Sequence, residues 1–246
     1  MLKWLEYIPF ICIASLVRIL PRTLALSFGK RLGQLGQHLQ GRRVSISRDN
    51  LHKAFPEMSQ EEVSKTISSM FKHLGMSFID MLRVDKYSGQ KDLDRYFETS
   101  GEENLEEALE LGRGCIILTA HLGFWEAGSF FLPTLGYNTE VVAKPMRNPL
   151  VDAYFSRMRE SNGNQIISSK KGARGILRSL QKNHIVCVLL DQHLKGKGSV
   201  AAPFLADRRI QPPSSHRWLP GIRSRLLLPF LIASQTALIN AILRRC

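Results

Sequence analysis

The side chains best suited to chemistry are His121 and Glu126, five positions apart in His121-Leu-Gly-Phe-Trp-Glu126. An imidazole changes charge near physiological pH and can take a proton from a hydroxyl. A carboxylate beside it would fix its tautomer and stabilise the imidazolium, as the acid does in a catalytic triad. Residues five apart on a regular helix point about 140° away from each other. The two can therefore meet only if His121 lies in a loop and Glu126 on the first turns of the next helix. Thr119-Ala-His-Leu-Gly123 predicts that turn, and Gly123 permits it to be tight. On residue types alone, a core histidine with a chance acid is the better fit; the place of His121 just past a strand makes the two readings equal.

No G-x-S-x-G elbow is present, and no serine or cysteine carries the flanking pattern of a nucleophile. This favours direct transfer to a substrate hydroxyl over a covalent intermediate. Neither a P-loop nor G-x-G-x-x-G occurs, so nucleotide binding has no support. Lys144, Arg147, Arg157 and Arg159 place cations downstream of the histidine, and arginine suits bidentate phosphate binding. Lys170, Lys171, Lys195 and Lys197 read as exposed charge. His121, Glu126, Asp191 and His193 are types that zinc or iron accept, so a metal-dependent hydrolase is a rival reading. No H-E-x-x-H or similar spacing supports it, and no metal or organic cofactor is expected.

The 246 residues are 44% hydrophobic and 22% charged, enough for one domain with a real core. A net charge of +13 implies an anionic partner: nucleic acid, a phospholipid surface, or an acidic protein or substrate. Nucleic acid is the weakest of these, because no recognised fold signature is present and the arginines are not interleaved with aromatics. Cys12, Cys115, Cys187 and Cys246 are scattered, and Cys115 and Cys187 sit in apolar runs, which suits buried thiols in a reducing compartment.

Residues 22–48 read as a glycine-broken helix. Ser59 with Glu62 reads as a capping box opening another, with Val63, Ile67, Met70, Phe71, Leu74 and Phe78 on its apolar face. An acidic helix is expected over Glu102–Leu111. Strands follow at Cys115–Ala120, Thr139–Ala143, Ile166–Ile167 and Ile185–Leu190, with helices at Pro149–Ser161 and Ala173–Lys182 between them. Strands alternating with helices predict an α/β fold with a largely parallel sheet flanked by helices. In such sheets the active residues lie just past the carboxyl ends of strands, where both His121 and Asp191 fall.

Residues 1–20 are apolar but interrupted by Lys3, Glu6, Pro9 and Arg18; the clean run Tyr7–Val17 is about half of the ~20 residues a span needs. A retained membrane anchor or interfacial helix is expected there, with Arg18, Arg22, Lys30, Arg31, Arg42, Arg43 and Arg48 facing an anionic leaflet. Residues 21–205 form the main domain. Residues 206–246 differ, with seven arginines, no lysine and one acid, Asp207. Prolines 212, 213, 220 and 229 interrupt regular structure there. The jump in composition reads as a frame-shifted end or a basic tail, and an incomplete C-terminal part is expected.

His121-x-x-x-x-Glu126 resembles the H-x-x-x-x-D/E signature of the glycerolipid and lysophospholipid acyltransferase superfamily. The ordered set Asn50-Leu, Ala54-Phe-Pro-Glu57, Arg147-Asn-Pro-Leu150, Arg157-Met-Arg159, and Leu190-Asp-Gln192 followed by Val200–Phe204 resembles its late lipid A branch. The resemblance spans roughly residues 5–205. It implies a glycerolipid-acyltransferase-like fold, an N-terminal membrane anchor and a site on the cytoplasmic face of the inner membrane. It also implies an acyl donor on acyl carrier protein and a phosphorylated lipid A precursor as acceptor. By position, His121 is the base and Glu126 its partner, Arg157 contacts a phosphate, and Asp191 falls in a later motif that shapes the site. Arg159, Arg147, Lys144 and Trp125 join the substrate-binding set, and Phe124, Trp125, Phe130 and Phe131 would line the acyl chain. Lys144 stands where many members have arginine. Ala206-Asp-Arg-Arg-Ile stands where a glycine-arginine-proline run is expected.

Overall fold

The computed structural model describes residues 2–87, 91, 94, 97–121, 123–169, 172–189, 191–192, 200–204, 207–211, 225–233 and 239–245. The first part is helical: α1 (Leu2–Ile19), α2 (Arg22–Leu39), α3 (Gly41–Ala54) and α4 (Gln60–Met81), then a 3-10 turn at Val84–Lys86. Strands and helices then alternate: β1 (Phe97–Ser100), α5 (Glu102–Glu110), β2 (Cys115–Thr119), α6 (Ala127–Thr134), β3 (Thr139–Ala143), α7 (Pro149–Glu160), β4 (Gln165–Ser168), α8 (Gly172–Gln181) and β5 (Ile185–Leu189). The chain closes with β6 (Val200–Phe204), β7 (Asp207–Gln211), β8 (Arg225–Ala233) and β9 (Ile239–Arg245).

The centre is a parallel four-strand sheet in the order β2-β5-β3-β4. Side chains alternate across it as strand geometry demands. Cys115, Ile117, Ile185 and Cys187 pack on one face with Leu105 and Ala108 of α5 and Leu132 of α6. Ile116, Val186 and Ile167 pack on the other with Ile176 and Leu180 of α8. β8 extends the sheet parallel to β2, and β9 pairs antiparallel with β8. The expected break at Pro229 is corrected, because it lies inside β8. Pairing with β2 involves Arg225–Leu227 only, so the proline's missing donor costs that ladder nothing.

The predicted capping box is present: Ser59 caps α4, accepting from the Glu62 amide while the Glu62 carboxylate accepts from the Ser59 amide at 2.8 Å. The reading of residues 22–48 as one helix broken by glycines is also corrected. Gly29, Gly33 and Gly36 lie inside α2, and the chain turns instead at Gln40, with Gly41 opening α3. Gly29 and Gly33 serve packing against α4: a Cβ at Gly33 would run into the Phe71 carbonyl, and one at Gly75 of α4 into the Gly29 carbonyl. Two helices thus meet backbone to backbone. The buried row on α4 is Val63, Ile67, Phe71 and Ile79, with Gly75 filling the same four-residue step. Met70 and Leu74, expected on that face, are 42% and 50% exposed. Among the described residues no helix is long and apolar enough to cross a membrane.

Gly33→Ala should therefore destabilise the fold by about 1–3 kcal/mol, since a backbone carbonyl must move. Gly41→Ala, with nothing within 4 Å of the added carbon, should be neutral or stabilising by up to about 1 kcal/mol. Chemical denaturation of the two variants reads the difference.

Candidate active site

β2 and β5 are adjacent and in register, Cys115 opposite Ile185 through Thr119 opposite Leu189. Two residues past each strand end stand His121 and Asp191. They meet in two hydrogen bonds: His121 Nδ1 lies 2.7 Å from Asp191 Oδ1, and the His121 amide donates to Oδ2 at 3.1 Å. The imidazole is a third exposed and the carboxylate rather less. With Nδ1 engaged, the Nε2 edge is left for other partners. The Gln192 amide nitrogen lies 3.3 Å from it, and the Trp125 ring is tilted against the imidazole at 5.4 Å. Burial alone would raise the Asp191 pKa, but its bonds to His121 and the imidazole's charge more than offset this and hold it below the ordinary value.

The expected turn from loop to helix is present. His121 precedes Gly123 at φ +52°, and Glu126 is the residue before α6. The expected contact between His121 and Glu126 is not: no hydrogen bond joins them among the described residues. Glu126 instead accepts a bidentate pair from Arg159 of α7, Nε to Oε2 at 2.9 Å and an end nitrogen to Oε1 at 2.6 Å. Both side chains are about nine-tenths buried. Burial pulls the Arg159 pKa down, and the Glu126 hydrogen bonds and charge more than restore it. A guanidinium fork and a carboxylate match geometrically, so the pair fastens the start of α6 to the end of α7.

A histidine and carboxylate at adjacent parallel strand ends, with a buried arginine–glutamate pair behind, could serve several reactions. Comparison with known proteins gives the family. Residues 2–236 match the model of the bacterial lipid A biosynthesis acyltransferase family. The chain belongs to that family. It is 30% identical over 189 residues to the lipid A biosynthesis palmitoleoyltransferase of Escherichia coli K12, covering 76% of this chain and 60% of that protein. It is 25% identical over 230 residues to the lipid A biosynthesis lauroyltransferase of the same organism, covering 93% of this chain and 73% of the relative. A lipid A biosynthesis acyltransferase of Shigella flexneri matches at 30% over 189 residues. The chain thus spans about three-fifths of the length of the first of these relatives.

Within this family member, the other expected residues divide. Arg157 and Arg159 are two apart on α7, so they point about 160° from each other. Arg159 reaches Glu126, and Arg157 is exposed and turned away from that pair. Lys144 and Arg147 are exposed in the loop after β3, which neighbours β5, so they flank Asp191 at the same edge. The aromatic lining is corrected. Phe124 and Phe130 are 5% and 2% exposed and belong to the core with Tyr87, Phe155 and Met158, and Phe131 packs beside Leu132. Trp125, of the same four, lies against the imidazole. Gln192, visible in the sequence only as the end of Leu190-Asp-Gln192, has a neutral amide with no titration to mark it as part of the site. Arg22 and Arg18, expected to face a leaflet, are tied into the protein by ion pairs while staying partly exposed: Arg22 bonds Asp80 at 2.7 Å and Arg18 bonds Asp85 at 2.5 Å. Of the residues proposed for a metal, His193 lies outside the described residues. Among the described residues no group of three or more His, Cys, Asp or Glu could hold a metal ion. Burial pushes the Cys115 and Cys187 thiols up to about 12, which suits structural cysteines.

Two stability measurements follow. Arg159→Met leaves Glu126 buried without its guanidinium and should cost about 3–5 kcal/mol in denaturant unfolding. The Asp191 carboxyl is held below its ordinary value of 3.8, so its bond to His121 contributes fully above that pH. The contribution is lost as pH falls through the lowered folded value. The stability gap between the native chain and Asp191→Asn should accordingly close on acidification.

Proposed function

We propose that this chain is an acyltransferase that moves a fatty acyl group from acyl-acyl carrier protein to a hydroxyl of a lipid A precursor, at the cytoplasmic face of the inner membrane. The observation that carries the reading is the His121–Asp191 contact at the strand ends, within a member of this family. Asp191 holds Nδ1 as the donor, which leaves Nε2 as the base. The acceptor hydroxyl displaces Gln192 and gives its proton to Nε2 as its oxygen attacks the thioester carbonyl. The new ester C–O bond forms, the C–S bond breaks, and the departing thiolate takes the proton back from the imidazolium. Asp191 stabilises the imidazolium between these two events.

Glu126 and Arg159 act in this account by positioning. Their buried pair holds α6, and with it the loop bearing His121 and Trp125, at a fixed height above the sheet. Lys144 and Arg147, exposed at the same edge, suit a phosphorylated head group as point and fork donors respectively. The overall charge of +13 suits an acidic carrier protein and an anionic lipid alike.

The test is transfer from acyl-acyl carrier protein by the native chain, with a lipid A precursor and a lysophospholipid offered as separate acceptors. His121→Ala should lower the rate by about 10²–10⁴-fold. Asp191→Asn should lower it through kcat and shift its pH profile. Equal rates for native chain and His121→Ala would overturn the mechanism, and transfer to the lysophospholipid alone would reassign the acceptor.

A further inference from the structure

Attack on the thioester pushes the carbonyl π electrons onto the carbonyl oxygen. That oxygen is an anion until the C–S bond breaks, and it needs hydrogen-bond donors placed before it forms. The imidazole says where. The attacking oxygen lies about 3 Å from Nε2 as it gives up its proton. The oxyanion follows one carbon later, so its donor must stand beside Nε2.

Gln192 stands there. Its amide nitrogen lies 3.3 Å from Nε2 and 3.4 Å from Nδ1 of His121. In the ring plane, a nitrogen so nearly equidistant from both would run into the carbon between them. The amide therefore sits over the ring face. A hydroxyl arriving in the plane at Nε2 takes over that contact and leaves the amide close by. Among the described residues the amide nitrogen has no partner except the ring, and the residue is exposed, so its N–H groups are free to turn. Asp191, the residue before it, is bonded twice to His121 and fixes where the side chain starts. The residue type fits as well. An amide donates without a charge of its own, so it does not oppose the imidazolium forming beside it, as a lysine or arginine there would. The Asp191 carboxylate only accepts and has no hydrogen to give.

We propose that Gln192 is a catalytic residue whose side-chain amide donates a hydrogen bond to the oxyanion of the tetrahedral intermediate. This rests on the acyl-transfer reading above. The intermediate collapses when the oxygen returns its electron pair, the C–S bond breaks, and the thiolate takes the proton held by His121. Gln192 neither gains nor loses a proton in the cycle, so removing it should slow transfer without moving the pH profile.

The test compares the native chain with Gln192→Ala and Gln192→Glu in transfer from acyl-acyl carrier protein to a lipid A precursor. Gln192→Ala should lower kcat by about 10²–10³-fold, with KM for either substrate within about threefold. Gln192→Glu sets a carboxylate against the oxyanion and should be slower still. A kcat in Gln192→Ala within about threefold of native, or a loss carried by KM, would overturn the proposal. So would a shifted pH profile, which would mean that Gln192 acts by holding His121. A second measurement needs no turnover. Methyl dodecylphosphonate, whose tetrahedral anion stands in for the intermediate, is titrated against the His121 ring signals of both chains. Binding should weaken about tenfold or more in Gln192→Ala. Equal binding, or none to the native chain, would overturn the proposal. A native chain that binds the phosphonate through Gln192 but transfers no acyl group contradicts the enzymatic reading alone. Transfer lost in His121→Ala but kept in Gln192→Ala contradicts this inference alone.

Discussion

The register of two neighbouring parallel strands governs the site. β2 and β5 pair with a constant offset of 70 residues, and His121 and Asp191 are themselves 70 apart. Continuing the ladder two residues beyond its last pair puts the imidazole opposite the carboxylate, at about the 4.8 Å spacing of adjacent strands. A slip of one residue would turn one of the two side chains to the other face of the sheet and abolish the contact. The apolar alternation that fixes this register, Cys115 and Ile117 on one face and Ile116 on the other, thereby also sets the chemistry.

Behind that contact, α7 acts as a beam with fittings at both ends. Its N-cap Asn148 accepts from the Leu150 amide at 3.0 Å and grips α1 with the other atom of its amide. Near its far end Arg159 holds Glu126, and between them Phe155 packs in the core with Phe124 and Phe130. The helical N-terminal part joins the same core. Tyr87 lies edge-on to Phe124 at 6.4 Å, and its hydroxyl links Asp80 and Arg22. Burial and the Asp80 charge raise the Tyr87 pKa, so the phenol remains a donor in this network. The loop bearing His121 is thus clamped from the sheet, from α7 and from the helices before it.

Much of this was legible in the residues. The alternation of apolar runs and amphipathic segments located every strand from β2 to β5 to within a residue or so, because each strand is bounded by glycine or polar turns. The Ser59–Glu62 box was visible as spacing alone. The partner of His121 was not, since strand order is a long-range property: Asp191 is adjacent only because β5 inserts between β2 and β3. Glu126 looked like the partner because it is near in sequence, yet a helix start carried it toward Arg159. The α2 glycines misled for a related reason. Propensity reads glycine as a break, whereas here the close approach of α4 repays the propensity lost. Phe124 and Phe130 were misplaced because an aromatic beside a motif looks the same whether it lines a slot or fills a core.

The central claim, that Asp191 sets His121 as a base through Nε2, is tested most directly by nitrogen-15 NMR of the His121 ring in the native chain and in Asp191→Asn. The account predicts that the neutral imidazole of the native chain carries its proton on Nδ1, and that the variant loses this preference. A native imidazole protonated on Nε2, or a tautomer unchanged by the substitution, would contradict it.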